Sequence, residues 1–227
     1  MKGCKIIRFF DIFFAILGII SLSPIFLIVS LLLALSGEHK ILYFQSRVGL
    51  NCKSFKIIKF VTMLENSPEI GNKSITFKND PRILPFGNFL RQSKINELPQ
   101  LINVILGDMS LVGPRPLTEE SFYKYSNKIQ TAISKVRPGI TGAGSIIFRN
   151  EENFLSKKIS KKYFFEKILP YKGELEIWFI ENKSLKLYFL LIFLTLFLSF
   201  FKKSSIIIFR LIKNIPKPSD EIKYLFY

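Results

Sequence analysis

The sequence predicts a membrane-associated chain that combines helices with short strands, and three observations carry that expectation. An uncharged stretch of 24 residues, Ile12 to Leu35, is long enough to cross the hydrocarbon core of a bilayer. Two strand-like runs between Ile41 and Met63 turn about Gly49-Leu50-Asn51. Leu98, Leu101, Ile102 and Ile105 follow at helical spacing within residues 91 to 116, where the chemically committed groups are densest.

The apolar stretch is preceded by Lys2, Lys5 and Arg8 and interrupted by Ser21, Ser23 and Pro24. A proline removes an intrahelical hydrogen bond and clashes with the preceding turn, so a kink is expected at Ser23-Pro24. The following residues Lys40, Arg47, Lys53, Lys56 and Lys59 are as basic as the leading ones. Both flanks therefore favour the cytoplasm, and a helix that dips into the bilayer and returns fits better than one that crosses. Ala34-Leu35-Ser36 would pass as a signal-peptidase site, but the apolar stretch is long for a signal and a basic chain would then be exported.

In the strand pair, cations alternate with aromatic and aliphatic residues, a pattern suited to lipid headgroups beside a membrane segment and, in the abstract, to nucleic acid. Residues 65 to 80 read as a polar surface loop closed by Asp80-Pro81-Arg82. Asn96 is a good N-cap for a helix over about Glu97 to Leu106, which Gly107 stops. Gly113-Pro114-Arg115-Pro116 makes a rigid exit. A helix start flanked by Arg91 and Arg115 can hold an anion such as a diphosphate; a well-capped surface helix is the plainer alternative. Residues 118 to 135 read as an amphipathic helix. Arg137 to Gly142 reads as a second turn-rich loop, where Gly139, Gly142 and Gly144 let the backbone approach a ligand and Arg137 braces the loop or meets a nucleotide. Charged helices along an interface are expected over 149 to 186, a buried or interfacial apolar run over Leu187 to Phe201, and a basic tail over 210 to 227. The expected organisation is a membrane helix at 1–40, a catalytic domain at 41–186 and an apolar segment with tail at 187–227.

At 227 residues, 48% hydrophobic with 24 phenylalanines, the chain departs from the simple soluble class. A net charge of +16 points to an anionic partner, although part of it belongs to a Lys-, Ile-, Asn- and Phe-rich composition. No recognised nucleic-acid module is present, so no nucleic-acid partner is expected. Cys4 and Cys52 fit neither a disulfide nor a metal framework. His39 is the single histidine, which excludes a histidine-based triad; any metal should be a hard, oxygen-ligated ion such as Mg²⁺.

Five motifs then occur in one order: the basic start with an apolar segment broken at Ser23-Pro24, SRVGLNCKSFKIIKFVTM, DPRILPFGNFLR, NELPQLINVILGDMSLVGPRP, and RPGITG. Over roughly residues 5 to 190 the chain resembles the bacterial sugar transferases, the monotopic polyprenyl-phosphate phosphoglycosyl transferases. The resemblance implies a small α/β catalytic domain, a re-entrant Pro-kinked membrane helix and interfacial amphipathic helices at the cytoplasmic face of the bacterial inner membrane. It also implies a nucleotide-diphosphate sugar donor, a polyprenyl phosphate acceptor and Mg²⁺, with covalent transfer through an Asp-Glu dyad whose aspartate attacks and whose glutamate helps hold the metal. A homo-oligomer remains open. Carried over, the dyad is Asn96-Glu97, with Glu97 as catalytic residue and Mg²⁺ ligand and Arg91, Arg115 and Arg137 as phosphate-binding residues. Three positions depart from the family pattern: Asn96 replaces the nucleophile, Val61 an arginine, and Ala143 a bulky residue. An amide is a poor nucleophile. Attack by Glu97, direct transfer, and a catalytically impaired relative that binds lipid phosphate or scaffolds a complex all follow as alternatives.

Overall fold

The computed structural model describes residues 2–36, 39–67, 80–149, 161–200 and 207–226. The apolar stretch forms one helix, α1 (Lys2–Leu35), which runs through Pro24. Proline has no N–H to give the carbonyl four residues back, and the Ser23 hydroxyl donates to that Ile20 carbonyl instead, at 2.8 Å. One face of α1 is buried through Ile7, Asp11 and Ala15 near its start and Val29 and Leu33 near its end. The opposite face leaves Phe9, Phe13, Ile20, Leu27 and Leu31 exposed.

Two polar anchors fix the first turns of α1. Asp11, 2% exposed, accepts from the Ser110 hydroxyl, the Leu111 N–H and the Tyr188 hydroxyl, each at 2.9 Å. Arg8 donates to the carbonyls of Val104 (2.7 Å), Met109 (3.2 Å) and Ile105 (3.3 Å). Val104 and Ile105 lie in the last turn of a helix, α3 (Gln100–Leu106), where orphan acceptors and the negative end of the helix dipole favour a cation.

β1 (Leu42–Val48) and β2 (Ser54–Phe60) form the expected antiparallel hairpin, with Tyr43 opposite Lys59. After Phe60 the chain reaches a buried Asp80–Arg82 ion pair (2.6 Å) and enters α2 (Pro85–Gln92). Most of the expected 65–80 loop lies outside the described residues. The expected helix over 97 to 106 divides in two. A 3₁₀ turn spans Ile95–Glu97, entered through Lys94 in the left-handed region, and α3 spans Gln100–Leu106 behind Pro99. Asn96 therefore caps nothing. Pro99 cannot offer an N–H to an α-helical bond, so regular winding starts only after it. Gly107 ends α3 with φ +97°, as expected of a helix-stopping glycine. Asn103, 1% exposed, ties α3 to the hairpin by accepting from the Ile58 N–H and donating to the Lys56 carbonyl, both at 2.9 Å.

β3 (Ser110–Val112) pairs in parallel with β4 (Gly139–Thr141), so the fold is mixed α/β, with two two-stranded sheets among the described residues. This corrects the reading of Arg137 to Gly142 as a turn-rich loop, since residues 139–141 form a strand. A Cβ at Gly139 would fall 2.0 Å from the Gly113 nitrogen, and one at Gly142 would fall 2.4 Å from the Gly113 oxygen. These glycines let two backbones meet. Between the strands, residues 118 to 135 form two short helices, α4 (Glu119–Phe122) and α5 (Asn127–Ser134). The extended backbone of Ser126 separates them. α6 (Ala143–Ile147) follows β4.

Helical residues 161–168 lead into α7 (Leu169–Glu181), and α8 (Leu185–Phe200) comes next. Leu187, Tyr188, Leu191, Leu194 and Leu198 are buried along one side of α8, which packs against α6, β3, β4 and α1, while Phe189, Phe193 and Leu196 remain exposed. The expected basic tail is no tail. Through α9 (Ile207–Leu211) and α10 (Asp220–Lys223) it places Ile208, Ile212, Ile222 and Phe226 in the same core, because its apolar residues recur between the lysines.

Candidate active site

A cavity of about 1130 Å³ lies beside α1, walled by the hairpin, the end of α2, the 3₁₀ turn, the Gly-Pro-Arg-Pro exit, α6, α7 and α8. Its lining carries nine lysines and arginines against three glutamates, a surplus of six cations in a confined space. Such a lining concentrates anions.

At its centre stands Glu97. Its side chain is 15% exposed, and its Oε1 takes a 3.3 Å contact from Lys59 Nζ and a 3.4 Å contact from an Arg115 terminal nitrogen. Burial alone would raise the carboxyl, but Lys59 first, then Arg115 and Lys94, outweigh it and hold Glu97 well below the usual carboxylate range. The same burial brings the Lys59 ammonium down to about 8, with Glu97 opposing the fall and Arg115 and Arg47 adding to it. Arg47 is lowered to about 10 by burial and by Arg115. The site is a fully ionised carboxylate inside a cluster of crowded cations, and a phosphate arriving there would relieve their repulsion.

Among the described residues, Arg47 Nε, Asn96 Oδ1, Ser145 Oγ and Glu176 Oε2 are buried polar atoms of lining residues without a hydrogen-bond partner. Buried groups of this kind cost stability unless a ligand or water meets them, so their gathering at one cavity marks a binding site. Glu176, 6% exposed, is pushed up to about 7 by burial; the Arg115 N–H, 3.5 Å from its Oε1, and the charge of Lys172 act the other way. Gly144 faces the same carboxylate: a Cβ there would lie 2.6 Å from Glu176 Oε1.

Of the residues expected at the site, Asn96, Glu97, Arg91 and Arg115 come together in this lining. Arg137 does not. Its Nε donates to the Gly107 carbonyl at 2.8 Å and braces the end of α3, outside the cavity lining. Ser23 and Pro24 lie exposed on α1, between the cavity-lining Leu22 and Ile25. Val61 lines the cavity, and Ala143 is fully buried in the core outside the lining. Sequence reasoning missed Arg47, Lys59, Arg149, Lys172 and Glu176. Strand periodicity holds a signal for the first two, since Tyr43 opposite Lys59 puts Tyr43, Gln45, Arg47 and Lys59 on one sheet face. For Glu176 the signal is a lone acid between apolar neighbours in Leu175-Glu-Ile-Trp-Phe-Ile180.

The model of the bacterial sugar transferase family matches residues 3–202. The exopolysaccharide production protein ExoY of Sinorhizobium fredii is 36% identical over 164 residues, covering 66% of this chain and 72% of its own. The UDP-glucose:undecaprenyl-phosphate glucose-1-phosphate transferase of Escherichia coli is 35% identical over 199 residues, covering 86% of this chain and 40% of its own. The undecaprenyl-phosphate galactose phosphotransferase of Salmonella typhimurium is 32% identical over 192 residues, covering 78% and 37%. The chain thus spans about two fifths of the length of these last two.

Proposed function

Since this chain belongs to the bacterial sugar transferase family, we propose that it transfers a sugar 1-phosphate from a UDP-sugar to undecaprenyl phosphate, releasing UMP and beginning a membrane-linked polysaccharide. The observation that carries this reading is Glu97, buried between Lys59 and Arg115 in a cation-rich cavity bordered by an apolar helix. Water-soluble donor and lipid acceptor need a common boundary, and α1 puts the cavity at one.

α1 dips into the cytoplasmic leaflet and returns instead of crossing. What supports this is that Ile7, Asp11 and Ala15 at one end and Val29 and Leu33 at the other pack on parts of a single domain, with basic residues on both flanks. The domain then sits on the cytoplasmic face of the inner membrane.

Transfer is a single displacement. An oxygen of the acceptor phosphate attacks the phosphorus that bears the sugar. The bond from that phosphorus to the oxygen bridging the two phosphates breaks, and its electron pair leaves with UMP. Asn96 offers no charged nucleophile, and Glu97 would have to give up both ion pairs to attack. The Asn96 amide can donate to a phosphate oxygen where a carboxylate would repel it, while Lys59, Arg115 and Arg91 offset the charge that builds on the leaving diphosphate. Among the described residues no three His, Cys, Asp or Glu side chains gather into a ready-made metal site. The carboxylate of Glu97 and the unpartnered Asn96 Oδ1 nevertheless suit Mg²⁺, which binds through one or two protein oxygens together with substrate phosphates. When bound, Mg²⁺ would add charge neutralisation on the diphosphate.

The test is a panel of UDP-sugars with the full chain in nanodiscs: UMP should appear with at least one donor and only when undecaprenyl phosphate is present. Labelled donor without acceptor should leave no label on denatured protein; retained label would restore a covalent route through Glu97. Asn96 also favours a second reading, an impaired relative that binds lipid phosphate. No UMP from any donor, with turnover appearing in Asn96→Asp, would select it.

A further inference from the structure

The cavity has a lipid-side boundary built from two helices. α1 and α8 meet at one end, where Phe10 and Phe14 approach Phe189 edge-on at 5.0 and 6.2 Å and the Tyr188 hydroxyl reaches Asp11. Two to three turns further along, both helices border the cavity, α1 through Leu22 and Ile25 and α8 through Thr195, Leu196 and Ser199. Away from the cavity Phe9 and Phe13 of α1 and Phe193 of α8 are exposed, so the apolar face of α1 continues onto α8. An apolar surface of this extent, joined to a helix that enters the bilayer, suits acyl chains.

A cation stands where these helices face the reaction centre. Arg149, just beyond α6, lines the cavity and donates to the Ser199 hydroxyl of α8 at 3.2 Å; that hydroxyl in turn donates to the Thr195 carbonyl at 2.7 Å. Burial lowers the Arg149 pKa and the charge of Glu97 raises it, so the guanidinium shares one electrostatic space with Glu97. Lys59 and Arg115 reach Glu97 from the hairpin and the Gly-Pro-Arg-Pro exit, whereas Arg149 is held from the lipid-facing helix.

Resting on the transferase reading above, we propose that the isoprenoid lipid phosphate enters from the leaflet between α1 and α8, its chain along Leu22, Ile25 and Leu196 and its phosphate on Arg149. Lateral entry keeps the chain out of water throughout, and a planar guanidinium pairs with a phosphate in bidentate fashion.

Steady-state kinetics of the full chain in nanodiscs, read as UMP release, test this. Arg149→Gln should raise the KM for undecaprenyl phosphate about tenfold or more and leave the KM for the UDP-sugar within about twofold, with partial recovery in Arg149→Lys. Leu196→Trp, at an exposed position that tolerates bulk, should raise the KM for undecaprenyl phosphate and leave the KM for the UDP-sugar within about twofold. A photoreactive polyprenyl phosphate should label α8, and less so in Arg149→Gln. An effect of Arg149→Gln or of Leu196→Trp on the donor KM equal to that on the acceptor KM, or no labelling of α8, would overturn the proposal. Labelling of α8 that depends on Arg149 in a protein that turns over no UDP-sugar would sustain this entry route and sink the transferase reading instead.

Discussion

Replacing Glu176 by glutamine should make the protein more stable at alkaline than at acid pH relative to the native chain, and the size of the effect follows from burial. The Glu176 carboxyl ordinarily ionises near 4.5 but is pushed up to about 7 in the fold. The folded state therefore holds this proton more tightly than the unfolded chain does. Its contribution to stability is complete below pH 4.5 and is lost as pH rises toward 7. Above that, the fold carries the whole cost of an ionised buried carboxylate, about 3 kcal/mol at about 1.4 kcal/mol per pH unit. A glutamine never ionises. Any loss it causes by leaving amide groups poorly paired is the same at every pH, so the comparison between two pH values isolates the charge. Between pH 5 and pH 8 the variant should gain about 2.5 kcal/mol on the native protein, or about 5–10 °C in Tm for a chain of this size. Thermal unfolding of both proteins in nanodiscs at the two pH values measures this. A Tm difference that stays constant from pH 5 to pH 8 would refute the claim that Glu176 is buried as an acid with a raised pKa.

Glu97→Gln should lower kcat/KM by about 10² or more, because Lys59 and Arg115 lose their shared counter-charge; the Lys59 ammonium, already near 8, should titrate lower still, and a pH series of UMP release reads both effects. Asp11→Leu leaves the Ser110 and Tyr188 hydroxyls and the Leu111 N–H without an acceptor and should cost at least about 3 kcal/mol of unfolding free energy in denaturant titration, with Asp11→Asn costing less. Gly139→Ala should yield no monodisperse protein by size-exclusion chromatography, because its Cβ would lie 2.0 Å from the Gly113 nitrogen. Gly18→Ala, which meets only the flexible end of Leu101 at 3.2 Å, should behave as the native chain does.

The parts of the fold that were legible in the sequence are those set by local chemistry. The apolar run at 12–35, the hairpin about Gly49 and the stop at Gly107 follow from side-chain pattern and backbone freedom within a few residues. Contacts distant in sequence were not legible. Gly139 and Gly142 looked like ligand-facing residues because their real partner, the Gly113 backbone, lies more than twenty residues earlier. Nothing local reveals that Arg137 serves the Gly107 carbonyl. At the site, Arg91, Asn96, Glu97 and Arg115 were legible through their clustering in one stretch, while Lys59 and Glu176 come to it from 38 residues before Glu97 and from far beyond it on α7.

Asn96 shows how local plausibility and tertiary role part company. As a residue before an apolar helical pattern it reads as a cap, and a cap would satisfy its side-chain oxygen with a backbone N–H. In the fold it sits within the 3₁₀ turn, 6% exposed, with that oxygen unpartnered at the edge of the cavity. A buried amide in that condition costs stability, of the order of 1–3 kcal/mol, and contributes nothing to holding the turn. A carboxylate there would set two adjacent acids against the same cations and draw Lys59 and Arg115 away from an incoming diphosphate. The amide leaves their charge available for the substrate. On this argument the loss of a nucleophile at 96 and the excess of cations around Glu97 are one arrangement, suited to holding two phosphates against each other.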